Sequence, residues 1–259
     1  MIIGVDKKSR RCYIIIDYLK IIFEISPSYK ITFIMKIVSV GGSIIIPKTG
    51  FDIQFLKKFR SAILREVKKG QKFILIIGGG ATCRAYQEAA LKITKLTDHD
   101  LDWIGIHATR FNAQFVHYLF HVYSHPEIIV DPRKKVRTKK PILVAAGFRP
   151  GHSTDMDAVL LAKTFKATEV LNLSNVDYVY DNDPRIHPNA KRIDRISWAD
   201  FCSQIIGDTW RPGKHVPFDP VASRTAEKLK LKVLFLNGTN LRTLQYALAG
   251  KPFPGTVIE

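Results

Sequence analysis

Five short apolar runs recur along the chain, and each gives way to a different periodicity at a glycine or small polar residue. "KIVSV" stops at Gly41-Gly42, "KFILII" at Gly78-Gly79-Gly80 and "PILVAAG" at Gly147. "EVLNLS" ends on Ser174, and "KVLFLNG" closes at Gly238. Runs this short and this continuously apolar read as strands buried on both faces. Between them, residues 52–69 set Ile53, Leu56, Phe59, Ile63, Leu64 and Val67 at helical spacing, with Gly70 as a stop. Further helices are expected from about Ala81, around 99–123, over "DMDAVLLAKTFKA" and over "NLRTLQYALAG". "DPRIHPNAKRI" reads as a loop. Strand and helix in alternation predict an α/β fold with a mostly parallel sheet covered on both faces. Ligands of such sheets bind beyond the carboxyl ends of the strands. The loops of interest are therefore Gly41 to Ser43, Gly78 to Gly80, Gly147 to Asp155, and Ser174 to Tyr180.

The chain has 259 residues and a formal net charge of +17, which draws anions: nucleic acid, acidic membrane or phosphorylated small molecules. The excess is dispersed except for "RKKVRTKK" at 133–140, which reads as a solvated face. Neither zinc-finger spacing nor an aromatic–basic RNA motif accompanies it, so nucleic acid is not an expected partner. Cys12, Cys83 and Cys202 lie far apart without CxxC spacing, which fits reduced thiols in a cytoplasm. "YIIIDYLKIIFEI" is interrupted by Asp17, Lys20 and Glu24, too soon for the ~20 apolar residues of a membrane span. Nor does it have a signal-peptide layout. Residues 1–34 differ in texture from the rest of the chain, and the compact domain is expected over 35–259, with 1–34 as an extension.

Each loop after a strand carries its own chemistry. Gly78-Gly79-Gly80 joins a strand to a helix, where glycine permits close backbone approach and free N–H groups favour an anion; Arg84 comes one turn later. The spacing is neither a Walker loop nor a dinucleotide fingerprint. Gly41-Gly42-Ser43 repeats the arrangement, so two such loops suggest a ligand with several phosphates. In "GFRPGHSTDMDA", His152, Ser153 and Asp155 are residue types of a hydrolase triad. They sit on one loop without a nucleophile elbow, which excludes that reading. One of Ser153, Thr154 and Asp155 is instead expected to cap the adjoining helix. The polar and aromatic residues of "LSNVDYVYDNDP" suit a nucleobase or ribose pocket.

In this order, "VGGSIIIP", "IIGGGATCRAY", "DWIGIHATRFNA", "AAGFRPGHSTDMDAVLLA", "LSNVDYVYDNDP" and "VPFDPVASRTAEKLKLKVLFLNG" resemble the amino acid kinase superfamily, and within it the archaeal uridylate kinases. The resemblance implies a three-layer α/β/α sandwich, ATP and UMP as substrates, Mg²⁺ bound with ATP, and a cytoplasmic homohexamer. By position it implies that Gly42, Ser43, Gly80 and Arg84 hold the ATP phosphates and the transferring group. Ser174, Asn175, Tyr180 and Asp183 would complete the ATP pocket. Gly79, Asp102, Phe148, Arg149, Pro150, Gly151, His152, Ser153 and Thr154 would hold UMP. Arg110 and Asn112 match a supporting segment, and no residue is assigned to metal.

The sequence departs from that pattern at three places. Ser39 stands where many members have Lys. Tyr178 replaces a glycine, which would strain the loop if positive φ is needed there. "GDTWRPGKHVP" is unusually basic and aromatic. Ile77 occupies the position where isopentenyl phosphate kinases carry His, which counts against that acceptor. The alternatives are a non-catalytic nucleotide- or oxyanion-binding or storage protein on the same fold, or a kinase of another small phosphorylated acceptor.

Overall fold

The computed structural model describes residues 35–184, 186–206 and 216–259. Residues 1–34 and most of the "GDTWRPGKHVP" segment lie outside the described residues, as does the expectation that the first of these is an extension.

The five expected strands form, as β1 (Lys36–Val40), β2 (Phe73–Ile77), β3 (Ile142–Ala145), β4 (Glu169–Ser174) and β8 (Lys232–Asn237). Among the described residues, short strands β5 (Val179–Tyr180), β6 (Arg192–Ile193), β7 (Arg195–Ile196) and β9 (Thr256–Ile258) join them. The main sheet has seven strands in the order β3-β2-β1-β4-β8-β9-β7. Every pairing in it is parallel except β8 with β9. The expected loop "DPRIHPNAKRI" is a loop for most of its length, but its end forms β6 and pairs antiparallel with β5.

Around the sheet lie α1 (Gly42–Ile45), α2 (Ile53–Lys68), α3 (Gly80–Ile93), α4 (Asp98–Phe120), α5 (Thr154–Phe165), α6 (Trp198–Asp200), α7 (Pro220–Lys228) and α8 (Leu241–Leu248). Local chemistry sets where they start. Asp52 accepts the Phe55 N–H at the head of α2, and Thr97 and Asp100 form a reciprocal capping box on α4. Asn240 caps α8 and Asp219 caps α7, where Pro220 supplies a preset φ.

Strand side chains alternate between two buried layers. Ile37, Ile74 and Ile76 pack with Ala158, Val159 and Leu161 of α5 and with Ala222 and Ala226 of α7. Val38, Val40, Leu75 and Ile77 pack with Leu56, Phe59 and Ile63 of α2, Val116 and Phe120 of α4, and Leu244 of α8. Helix α3 buries only Gly80 and rides on α4 as an outer element. Val40 pairs with both Ile77 and Leu173, and Ile76 pairs with Ala145. The four loops at the ends of β1 to β4 therefore leave one edge of the sheet at the same height. Since β2 and β4 flank β1 on opposite sides, that edge carries the switch point where α/β sheets open a crevice.

Candidate active site

The first two loops interlock through bare backbone. Gly41 N–H donates to Leu173 O, Gly78 N–H to Val40 O, and Ala81 N–H to Ile46 O. A methyl group on Gly42 would stand 2.5 Å from Gly80 Cα and 2.7 Å from the Gly78 carbonyl carbon, closer than any real contact. Gly80 itself has φ +64°, a conformation that favours glycine. Fully buried Asn112 donates from Nδ2 to the carbonyls of Gly78 and Gly79, at 2.9 Å each, and so fixes the second loop from beneath. Arg84 reaches back from α3 to give Ser43 Oγ a hydrogen bond of 3.3 Å. Gly42, Ser43, Gly79, Gly80 and Arg84 thus form one seam.

A cavity of about 240 Å³ opens beside the seam. Of the residues expected around an acceptor, Gly79, Asp102, His152, Ser153 and Thr154 line it. Asp102 also accepts the Gly151 N–H at 2.8 Å, which ties α4 to the 147–153 loop. Phe148, Arg149, Pro150 and Gly151 are not among the lining residues. The Phe148 carbonyl accepts from Arg110, and its ring lies under the guanidiniums of Arg133 and Arg149 at 4.6 and 5.3 Å. Ser153 is the cap of α5, accepting from Met156 N–H at 3.2 Å. Asp155 is not the cap. It points away to Ser39 Oγ at 3.5 Å and accepts the Asp219 N–H at 3.2 Å.

The cavity is also lined by Gly147, which opens one of the expected loops, and by Cys83; sequence reading passed over Gln87, Gly105, Ile106 and Thr109. Thr109 is the hinge of this wall. Its Oγ1 donates to Ile106 O and accepts the Gly147 N–H at 2.9 Å, and a methyl on Gly147 would stand 2.8 Å from that oxygen. It lies inside "ATRFNA", so the motif was visible although the hydroxyl's task was not. Burial pushes the Cys83 thiol up from its ordinary value, as for an unreactive packing thiol.

The loop after β4 occupies the other side of the switch point. Gly238 N–H donates to Ser174 O, and Asn237 Nδ2 to Asp177 at 3.0 Å. Tyr180 sits on β5, edge-on to Tyr178, over which Arg192 lies at 5.0 Å. The Asp183 carbonyl accepts from Ile186 and His187, closing a turn. Asn175 is exposed at the tip. Tyr178 does not have positive φ, so its side chain replaces a glycine without the expected backbone strain.

Residues 35–237 match the model of the amino acid kinase family. The chain belongs to that family. It is 33% identical over 228 residues to the uridylate kinase of Thermococcus sibiricus, spanning 87% of this chain and 100% of the relative. It is also 33% identical over 230 residues to the uridylate kinase of Pyrococcus abyssi, with the same shares covered. Among solved structures, the uridylate kinase of Archaeoglobus fulgidus superposes with a TM-score of 0.74 at 29% identity, covering 87% of this chain and 100% of that one.

On this amino acid kinase frame the electrostatics are uneven. Asp155 is pushed up to about 7 by desolvation and then by the neighbouring Asp219. Asp157, with none of its surface exposed, is likewise pushed up to about 7, mainly by desolvation. Burial, with Arg149 second, lowers His152 below the ordinary histidine value. Cations ring the loop from outside, while carboxylates sit behind it.

Proposed function

We propose that the protein is a UMP kinase, transferring the γ-phosphoryl group of ATP to the phosphate of UMP to give UDP and ADP. The observation that carries this reading is the cavity's position. It abuts the glycine seam at Gly79, so an acceptor held there is adjacent to the backbone N–H groups and to Arg84. Phosphoryl transfer between two anions asks for placement and charge neutralisation rather than a protein nucleophile. Gly42, Ser43 and Gly80 would cradle the ATP phosphates, with Arg84 over the group in transit. Asp102 and the loop Gly151 to Thr154 would hold UMP, backed by Phe148, Arg149 and Pro150. Ser174, Asn175, Tyr180 and Asp183 would flank the adenine nucleotide. The donor enters as its magnesium complex, with the ion carried by phosphate oxygens and water, as is usual for Mg²⁺.

Residues 35–259 are proposed as the catalytic domain, acting in the cytoplasm as a homo-oligomer, with the hexamer as its closed form. Support for self-association comes from α4, which exposes Trp103, Phe111 and Tyr118 at helical repeat, with Phe51 beside Phe115. Ser39 favours a second reading, in which the protein binds a nucleotide without turning it over. That strand end offers a hydroxyl bonded to Asp155 rather than a cation. ADP release from ATP, Mg²⁺ and a panel of UMP, CMP, dUMP and isopentenyl phosphate decides between them. UMP-dependent turnover is expected; ATP binding without turnover on UMP would establish the second reading.

A further inference from the structure

Among the described residues, four buried side-chain polar atoms have no hydrogen-bond partner, and two of them face each other: His152 Nδ1 and Asp157 Oδ1. They are 3.5 Å apart. Buried polar atoms are normally satisfied, so such a pair points to a task. The other atoms of both side chains are occupied. Asp157 Oδ2 accepts the Phe148 N–H at 3.1 Å, and His152 Nε2 lies 3.2 Å from Arg149 Nε.

These contacts define where the imidazole proton sits. A guanidinium nitrogen only donates, so Nε2 must present a lone pair. The ring proton is then on Nδ1, whose nearest carboxylate oxygen is Asp157 Oδ1 at 3.5 Å. Arg149 is exposed, so its hydrogen bond to Nε2 can be exchanged for one from a ligand, while Asp157 is sealed in the core. His152 lines the cavity, and its Nε2 presents a lone pair that Arg149 meets in this structure.

Resting on the UMP kinase reading, we propose that Asp157 is a positioning residue that holds His152 as a hydrogen-bond acceptor for the imide N–H of a uracil-type base. Uracil carries a donor at N3, and cytosine carries a lone pair at the same place. An acceptor fixed in the site pairs with the first and leaves the second facing another lone pair. Donor–acceptor mismatch of this kind discriminates far better than size does.

The arrangement holds only while the pair carries a single ring proton. A second proton turns Nε2 into a donor wherever it lands. On the imidazole it gives the doubly protonated ring. On Asp157 it donates to Nδ1 and drives the ring proton to Nε2. The charged groups bearing on the pair are Arg149 on the loop, Arg133 and Asp131 on the segment above it, and Asp155 and Asp219 behind it. With only 3.5 Å between them, a proton gained by either group bears on the other. With Asp157 pushed up to about 7, the acceptor form prevails above neutrality and is lost as pH falls through that value.

The test is the ratio of kcat/KM for UMP to that for CMP between pH 6 and 8.5, in the wild type and in Asp157→Asn. In the variant, the carboxamide oxygen keeps the Phe148 N–H and its NH₂ faces Nδ1, which reverses the tautomer. The wild-type ratio should rise with pH, and the variant should lose about tenfold or more of it at pH 8 and show little pH dependence. Thermal unfolding confirms that the variant is folded. Imidazole ¹⁵N shifts in the free protein supply a readout independent of turnover, with His152 identified by its absence in His152→Gln. A proton on Nδ1 at pH 8 in the wild type, moved to Nε2 in Asp157→Asn, is expected. A proton on Nε2 in the wild type, or an unchanged ratio in a folded variant, overturns the proposal. Wild-type protein inactive on UMP would defeat the kinase reading alone, since the ring proton is measured without it.

Discussion

The glycine seam and the loop after β3 meet at one cavity but are built on opposite principles. The seam, Gly41 to Ser43 against Gly78 to Gly80, is backbone pressed on backbone, with Arg84 as its cationic side chain. The loop, Phe148 to Asp157, is a set of coupled charges: two arginines outside, a neutral histidine between, and carboxylates behind. Steric placement of this kind is indifferent to pH and intolerant of a single methyl group. Coupled charges tolerate substitution and respond to protons. A kinase needs the first property where phosphate is transferred and can use the second where the acceptor is chosen.

The largest effect should come from a change at the seam. In Gly42→Ala the new methyl meets the backbone of Gly78 and Gly80, which cannot rotate away. Overpacking against backbone costs about 3 kcal/mol or more, a fall in Tm of about 10 °C, with phosphoryl transfer lost. A variant as stable and active as the wild type would break the contrast outright. Arg84→Ala probes the same seam without touching its backbone. Losing one charged donor at the developing transition state should lower kcat about a hundredfold, with KM for UMP changed far less. Steady-state kinetics with both substrates varied separates the two.

How far the sequence foretold this contrast depends on what each half is made of. The seam was legible because glycines between an apolar strand and a helix leave a local trace, and so do the five strands and their helical partners. Of the charge system only Arg149, His152 and Asp155 were legible, and the carboxylates that couple to them left no such trace. Asp157 reads as an ordinary first-turn acidic residue of α5, and its burial comes from how α5 lies on β1 and β2. Asp219 reaches Asp155 across 64 residues of sequence. Thr109 and Cys83 face the cavity from helices whose pattern names only a buried or exposed side. Strands β7 and β9 were missed because two or three residues owe their form to tertiary neighbours rather than to propensity.

Between the two extremes stands Asp102, which joins the loop to α4 through a single hydrogen bond to Gly151. Asp102→Asn keeps an oxygen for that N–H but loses the negative charge. An interaction of this kind carries about 1.5 kcal/mol, so KM for UMP should rise about tenfold with kcat within a few-fold. A pure kcat defect would instead place Asp102 with the seam.

The smallest effect sharpens the comparison through stability. Asp155 and Asp157 are held up to about 7, so the folded protein keeps protons that the unfolded chain releases near the ordinary carboxylate value. The stability they confer is complete below the unfolded value and is lost as pH rises through about 7. His152 and His117 are lowered and act in the opposite sense at more acidic pH; His117 cancels in the difference, which reports Asp157 together with its neighbour His152. The Tm of Asp157→Asn minus that of the wild type should become more positive by a few degrees between pH 5 and pH 8, because only the wild type must bury a charge at the higher pH. For Gly42→Ala the corresponding difference should stay flat across the same range, since a clash between uncharged atoms has no proton to lose. If both differences move together, the seam and the loop are one electrostatic unit and the division drawn between them is wrong.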